Sequence, residues 1–317
     1  MENEEPTFPL EHTGGQVHVG GAVDNYRLRK MPAKGALILT VLYGVVALEG
    51  CATVPLLREP VVFKDPALKL AIVTVEPSGE EASGILLRLR PPAGGRRTYR
   101  EETTVFSQVT DKRGVKYQIV TDRTDTYGKG SRDDTVIVRS AATIRNGGGE
   151  LSSEVEMTQH GEIVRCLRGE HRTPIGKFTI EDWKRSPIFP DRAVKVGDAW
   201  TYKETMNLRM QSSVAQMLEG EPYQANAVST LVGFAMVGGV RCAVIETRAF
   251  EQKREHMKIL RKELVVDVKT SIVEKTYLDE RAGTVRAAVA TATSYFISTD
   301  VPIEGTEESQ SVTYLVR

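Results

Sequence analysis

From residue 67 onward the chain consists of short runs of β-branched and aromatic residues broken by Gly, Asn and Asp. Leu264, Val266, Val268, Thr270 and Ile272 alternate with Glu263, Asp267, Lys269 and Ser271. A period of two places the first set on one face and the second on the other, which predicts a strand with one wet side. Glu280-Arg281-Ala282-Gly283 then turns the chain into a second extended run, Thr284 to Phe296, and so predicts a hairpin. Residues 250–264 read two ways. Phe250, Met257, Leu260 and Leu264 would share one side of a helix, and the Lys and Glu between them favour that form locally; hairpin continuity favours a strand. The expected fold is mainly β, with antiparallel sheet or sheets forming a half-open barrel or a sandwich and at most one or two short helices.

A loose internal correspondence suggests two similar β-units. Tyr99-Arg100-Glu101 is followed by Gly114 to Val120, and Tyr202-Lys203-Glu204 by Gly239 to Ile245, each reading as strand, turn, strand. The unequal intervals fit the general grammar of hairpins as well as duplication. Residues 67–172 would be the first unit and 197–317 the second. Residues 173–196 would join them, because Pro174, Pro187 and Pro190 disfavour a central strand there.

The N-terminal region has a different pattern. Lys34 precedes an uncharged, mostly apolar run from Ala36 to Leu48, which ends on Glu49-Gly50-Cys51. A basic start followed by an apolar run shorter than the ~20 residues of a spanning helix is the layout of an export signal. Leu48-Glu49-Gly50-Cys51 resembles the lipobox of bacterial lipoproteins, with Glu49 standing where that family prefers Ala, Ser, Thr or Val. The resemblance implies diacylglycerol on the Cys51 sulfur, cleavage after Gly50, and a mature protein anchored by acyl chains such as palmitate at the outer membrane, facing the periplasm or the cell surface. Residues 31–50 would be the signal peptide and 51–66 a tether. Residues 1–30 would be a disordered or non-native extension, with Met31 as the alternative start.

Lys plus Arg and Asp plus Glu are balanced at 42 each, so no excess charge drives binding to nucleic acid. With Cys51 assigned to lipid, Cys166 and Cys242 remain, either as a disulfide in an oxidising compartment or as two separately buried thiols.

The most distinctive phrase is Phe189-Pro190-Asp191-Arg192-Ala193-Val194-Lys195-Val196-Gly197-Asp198-Ala199-Trp200. It resembles a phrase in an uncharacterised bacterial lipoprotein family, over about residues 95–317, in which a proline-started turn leads into a strand through Val-x-Val-Gly-Asp-x-Trp. That family brings no known activity. Gly197-Asp198 suits a tight turn or bulge, and Trp200 and Tyr202 would point to one strand face as core or pocket aromatics.

Catalytic chemistry is not written in the sequence. His160, His171 and His256 lack zinc-protease spacing, and His160, Cys166 and His171 match no closed zinc pattern. No nucleophile elbow or phosphate loop is present. No catalytic residue, metal or cofactor is therefore assigned. The expected function is a non-enzymatic envelope protein that binds an apolar ligand or lipid on a concave β-face. The alternatives are an assembly accessory that binds another envelope protein, and a hydrolase, which would need a cleft with convergent polar groups.

Overall fold

The computed structural model describes residues 70–316, except residue 93 and the stretches 110–113, 146–148, 174–175, 212–214, 221–222, 260–261 and 299–302. The elements run β1 (Ile72–Val75), α1 (Gly79–Ser83), β2 (Arg96–Val109), β3 (Val115–Lys129), β4 (Thr135–Ile144), β5 (Glu150–Thr158), β6 (Ile163–Thr173) and β7 (Gly176–Arg185). They continue with β8 (Ala199–Gln211), β9 (Ala215–Gly220), β10 (Tyr223–Val237), β11 (Val240–Ile259), β12 (Lys262–Asp279), β13 (Thr284–Ser298) and β14 (Ile303–Leu315).

The strands form one antiparallel sheet in the order β1-β10-β8-β7-β6-β5-β4-β3-β2-β14-β13-β12-β11-β9, and a further pairing of β10 with β11 closes it into a 12-strand barrel. β1 and β9 lie outside that ring. β1 extends the ladder at the Phe234–Val237 end of β10, and β9 flanks the Glu255–Ile259 end of β11. Closure removes the open edges that a half-open barrel or a sandwich would leave. In chain order the staves form a meander whose two ends are joined by β14 pairing with β2, a long-range contact that local alternation does not carry.

Several sequence expectations are corrected by this wall. Residues 176–185, expected within a linker, are β7, which pairs with β6 and β8 as a full stave. The expected units 67–172 and 197–317 share one barrel. β2 and β3 do form a hairpin, whereas Tyr202 and Val240 lie on β8 and β11 with β10 between them, so the apparent repeat is not structural. Residues 250–259 continue β11, and Leu264 lies in β12. There β11 pairs along its length with β12, and the alternation into the lumen outweighs helix propensity. The hairpin at 280–283 and the alternation of β12 are as read: Val266, Val268, Thr270 and Ile272 are buried while Lys269 and Ser271 are exposed.

One barrel end is plugged. Residues 84–92 cross it, tied by the Ile85–Val194 bridge and by backbone bonds from Leu89 N to Gln159 O (2.8 Å) and Arg90 N to Gly283 O (2.9 Å). Leu87 on this strap and Phe189 and Val194 on the loop before β8 pack with Leu231, Ile245 and Leu278. Farther along the axis the inward side chains Val105, Ile119, Ile144, Met206, Val266 and Phe296 are all buried, so that half is filled.

The outer wall is polar. Arg100 pairs with Asp122 (2.8 Å), Arg139 with Glu154 (2.9 Å) and Arg254 with Asp267 (2.8 Å), and Lys203, Lys269 and Lys275 also point outward. An Arg or Lys facing lipid near the bilayer midplane costs about 2–4 kcal/mol. Charges at these positions disfavour contact of this wall with the hydrocarbon of a bilayer. No helix among the described residues is long and apolar enough to cross a membrane. Among the described residues the outer wall carries an apolar cluster near the plugged rim, where Leu70 and Ile72 cover Val237, Cys242, Val244 and Tyr277, and exposed apolar side chains elsewhere at Val228, Phe250 and Val273.

Candidate functional site

Between the plug and the filled half lies a cavity of about 320 Å³, within the range of small-molecule sites. Its apolar side comes from alternate positions of β4 to β6, where Val136, Val138, Val155, Met157 and Ile163 face inward, with Leu89, Ile188 and Phe189 above them. Period-two patterning against a polar outer wall makes those positions turn inward.

The polar side is built on β2 and β3. Tyr99 stands opposite Arg123, and Arg97 opposite Asp125. The Arg123 guanidinium lies 4.6 Å from the centre of the Tyr99 ring and donates from Nη2 to Asp125 Oδ2 at 2.9 Å. Asp125 Oδ1 also accepts from Ser140 Oγ at 2.8 Å. Burial acts to lower the Arg123 pKa, but Asp125 and Tyr99 hold the net shift upward, so the guanidinium stays charged. Arg97 sits 5.5 Å from the Tyr127 ring centre. Burial pushes the hydroxyls of both Tyr99 and Tyr127 above the usual tyrosine range, keeping them as neutral donors. On the opposite wall Trp183 Nε1 donates to Glu204 Oε1 at 2.6 Å, and Thr276 Oγ1 donates to Glu274 Oε1 at 2.7 Å. The chamber therefore has aliphatic walls and a polar, aromatic belt, a make-up suited to holding an amphipathic molecule.

Trp200 and Tyr202 both face inward as expected. Trp200 packs against the plug and donates from Nε1 to Ile188 O at 2.7 Å; Tyr202 lines the cavity. Gly197, at φ +93°, and Asp198 form the expected turn, where Asp198 Oδ2 accepts from Lys195 N and Arg192 Nη1, each at 3.1 Å. Cys166 and Cys242 are both free. Cys166 packs at the β4–β8 wall, and Cys242 lies in the apolar area outside the barrel under Leu70 and Ile72, where burial raises its thiol pKa to about 12. Cys51 and residues 1–66 lie outside the described residues.

The histidines do not converge. His171 is buried in the filled half, and desolvation lowers its pKa to about 4, so it is neutral at pH 7. His160 sits at the plugged end with Nδ1 3.2 Å from Phe189 O, and His256 is on the outer wall. His160 borders an open depression of about 840 Å³ on the outside of the plug. Among the described residues no group of three or more His, Cys, Asp or Glu is placed to hold a metal ion.

Sequence reading missed Arg97, Arg123, Asp125, Glu204 and Trp183. The signal was there: in Arg97-Thr98-Tyr99-Arg100-Glu101 and Arg123-Thr124-Asp125-Thr126-Tyr127, alternate residues share one face. Charge at such positions reads as a solvated face until the closed wall shows that face to be the lumen.

No protein-family model and no curated protein sequence matches the chain. Among solved structures, Pseudomonas aeruginosa OccD3 (OpdP) is similar over 75% of this chain and 94% of its own, at 8% identity and a TM-score of 0.23. The outer membrane protein OmpT of Vibrio cholerae covers 71% and 100%, at 10% identity and a TM-score of 0.22. The CymD monoaromatic hydrocarbon channel covers 76% and 97%, at 8% identity and a TM-score of 0.24. Superposition this weak carries no argument about what the chain does.

Proposed function

We propose that this protein is a non-enzymatic binding barrel of the bacterial envelope, held at the outer membrane through Cys51, which encloses a small apolar or amphipathic molecule in its lumen. The observation that carries the reading is the cavity of about 320 Å³ between the plug and the filled half, with aliphatic and aromatic walls. The polar outer wall supports the same view, because it leaves the acyl anchor as the means of membrane attachment. The export-type segment before Cys51 supports the envelope address. No histidine, cysteine or lysine lines the cavity among the described residues, and the Asp125 that accepts from the Ser140 hydroxyl is already paired with Arg123, which disfavours the hydrolase reading.

Organic extraction of the purified full-length protein followed by mass spectrometry tests the reading. An apolar or amphipathic molecule is expected in the wild type and absent from Ser153→Phe, which fills the cavity from β5. Empty extracts, together with failure of a hydrophobic fluorophore to bind the wild type, would overturn it. The second reading, an assembly accessory, is favoured by one observation: β1 is uncharged, pairs with β10 alone among the described strands, and leaves Val73 60% exposed. A partner strand could add at that edge. Thr74→Pro would abolish such pairing without touching the cavity.

A further inference from the structure

The guanidiniums around the cavity fall into two kinds. Arg123 is neutralised by Asp125 at 2.9 Å, and its Nε is buried without a hydrogen-bond partner among the described residues. Arg97 and Arg185, which also line the cavity, have no carboxylate partner among the described ion pairs. Arg97 Nη2 donates to Arg90 O at 3.1 Å, and Arg185 Nε donates to Gly161 O at 2.9 Å. Each thereby uses one donor on a backbone carbonyl and keeps the remaining donors of its fork and its full positive charge.

The strap repeats this arrangement. Arg88 donates to Leu87 O (2.7 Å), Pro190 O (3.0 Å) and Asp191 O (3.1 Å), and Arg90 donates to Arg281 O (3.3 Å). Four guanidiniums thus stand at the plugged end, each bonded to a backbone carbonyl and none in an ion pair among the described residues, although the Asp191 charge lies near enough to Arg88 to favour its charged form. Elsewhere on the barrel, Arg100, Arg139 and Arg254 all have carboxylate partners. Of the cavity carboxylates, Glu204 stands opposite Arg185 in register and accepts from Trp183, and Glu274 accepts from Thr276.

Resting on the reading of the cavity as a binding site, we infer that its ligand is an anionic amphiphile: an apolar body with a single carboxylate, sulfonate or phosphate head. The head lies under the strap between Arg97 and Arg185, and the body lies along Val138, Val155 and Met157. Carbonyl bonding pre-orients the two forks at no cost in charge, and a low-dielectric chamber strengthens their attraction for an anion. A neutral ligand of the same shape would gain only the apolar contacts. A cationic one would be repelled at the collar.

The test is calorimetric titration of the full-length protein with decanoate, methyl decanoate and decyltrimethylammonium, each below its micelle threshold, for the wild type and for Arg97→Gln/Arg185→Gln. Decanoate is expected to bind at least about tenfold more tightly than the ester, with the cation weakest. The double variant should lose that preference, and its circular dichroism spectrum and thermal unfolding, matched to the wild type, report an intact barrel. Arg97→Lys/Arg185→Lys should restore a preference for the anion. Equal binding of decanoate and its ester by the wild type, or a preference that survives in the Gln variant, overturns the anionic head and leaves the cavity reading standing. Binding of none of the three overturns the cavity reading itself.

Discussion

Glu156 shows how much one side chain organises at the plugged end. It points outward from β5 yet is buried, accepting from Ser131 N (2.6 Å), Ser131 Oγ (2.6 Å), Thr135 Oγ1 (2.7 Å) and Arg165 Nη2 (3.0 Å). These donors, led by the Ser131 hydroxyl, lower its pKa to about 2 from an ordinary 4.5. A carboxylate whose folded pKa is depressed stabilises above its unfolded pKa, and that stability disappears as pH falls through the folded value. Glu156→Gln should therefore cost about 1–3 kcal/mol at pH 7, since the amide keeps one acceptor oxygen but loses the charge that strengthens these bonds and turns a donor toward Arg165. The gap from wild type should close between about pH 4.5 and 2. Chemical denaturation across that range measures it, and a gap independent of pH would contradict the account. His171 adds an acid limit of a different kind. Its neutral ring is favoured by burial, so folding weakens as pH drops from 6.5 toward 4, where only the unfolded chain takes up the proton.

At the scale of elements, the strap decides whether the barrel is an open tube or a chamber. It is short and carries no strand of its own between Gly84 and Pro92, apart from the Ile85–Val194 bridge, so its position depends on a few contacts. Before it, α1 is fixed by a capping box between Ser78 and Glu81. Glu81 also receives both Arg241 Nε and Nη2 at 2.6 Å, which lowers its pKa to about 2 and clamps the segment to the β10–β11 turn. At the other side the chain passes close to Gly283, whose φ is +55° and whose position would put a Cβ 2.3 Å from Arg90 N. Gly283→Ala should cost at least about 1–2 kcal/mol from the left-handed backbone alone. The close approach adds to that by displacing the strap. Limited trypsin digestion should then cut after Arg88 sooner than in the wild type, the Arg90–Pro91 bond being resistant to trypsin. Unchanged digestion would mean that the strap is held independently of that turn. The 280–283 turn itself was legible as Gly following a polar cluster, whereas the reason that only Gly fits, a second backbone from residue 90, was not.

For the whole molecule, the inversion of polarity matters most. The wall presents paired and single charges outward and most of its Val, Ile and Leu residues inward, so under the proposed reading attachment to a membrane would fall to acyl chains on Cys51. Wild-type protein should take up radiolabelled palmitate and partition with detergent. Cys51→Ala should do neither and should remain in the aqueous phase with its barrel intact. Partition of the Cys51→Ala protein with detergent would show that the wall itself meets lipid, contrary to the charges on it.

The sequence alone determined the strands and turns whose signals are local. The alternation of β12, the 280–283 hairpin, the Gly197-Asp198 turn and the inward Trp200 and Tyr202 all follow from period-two patterning and turn chemistry within a dozen residues. It also carried the export-type segment, which is a matter of charge, length and a cysteine in order. Tertiary structure alone decided closure, because the meeting of β14 with β2, the last and first staves in chain order, depends on the accumulated twist of the wall. It also decided that residues 176–185 are a stave and that two thiols stay apart. The largest change is at Arg97, Arg123 and Asp125. Their spacing announced a polar face, and only a closed wall could turn that face inward and make it part of a chamber.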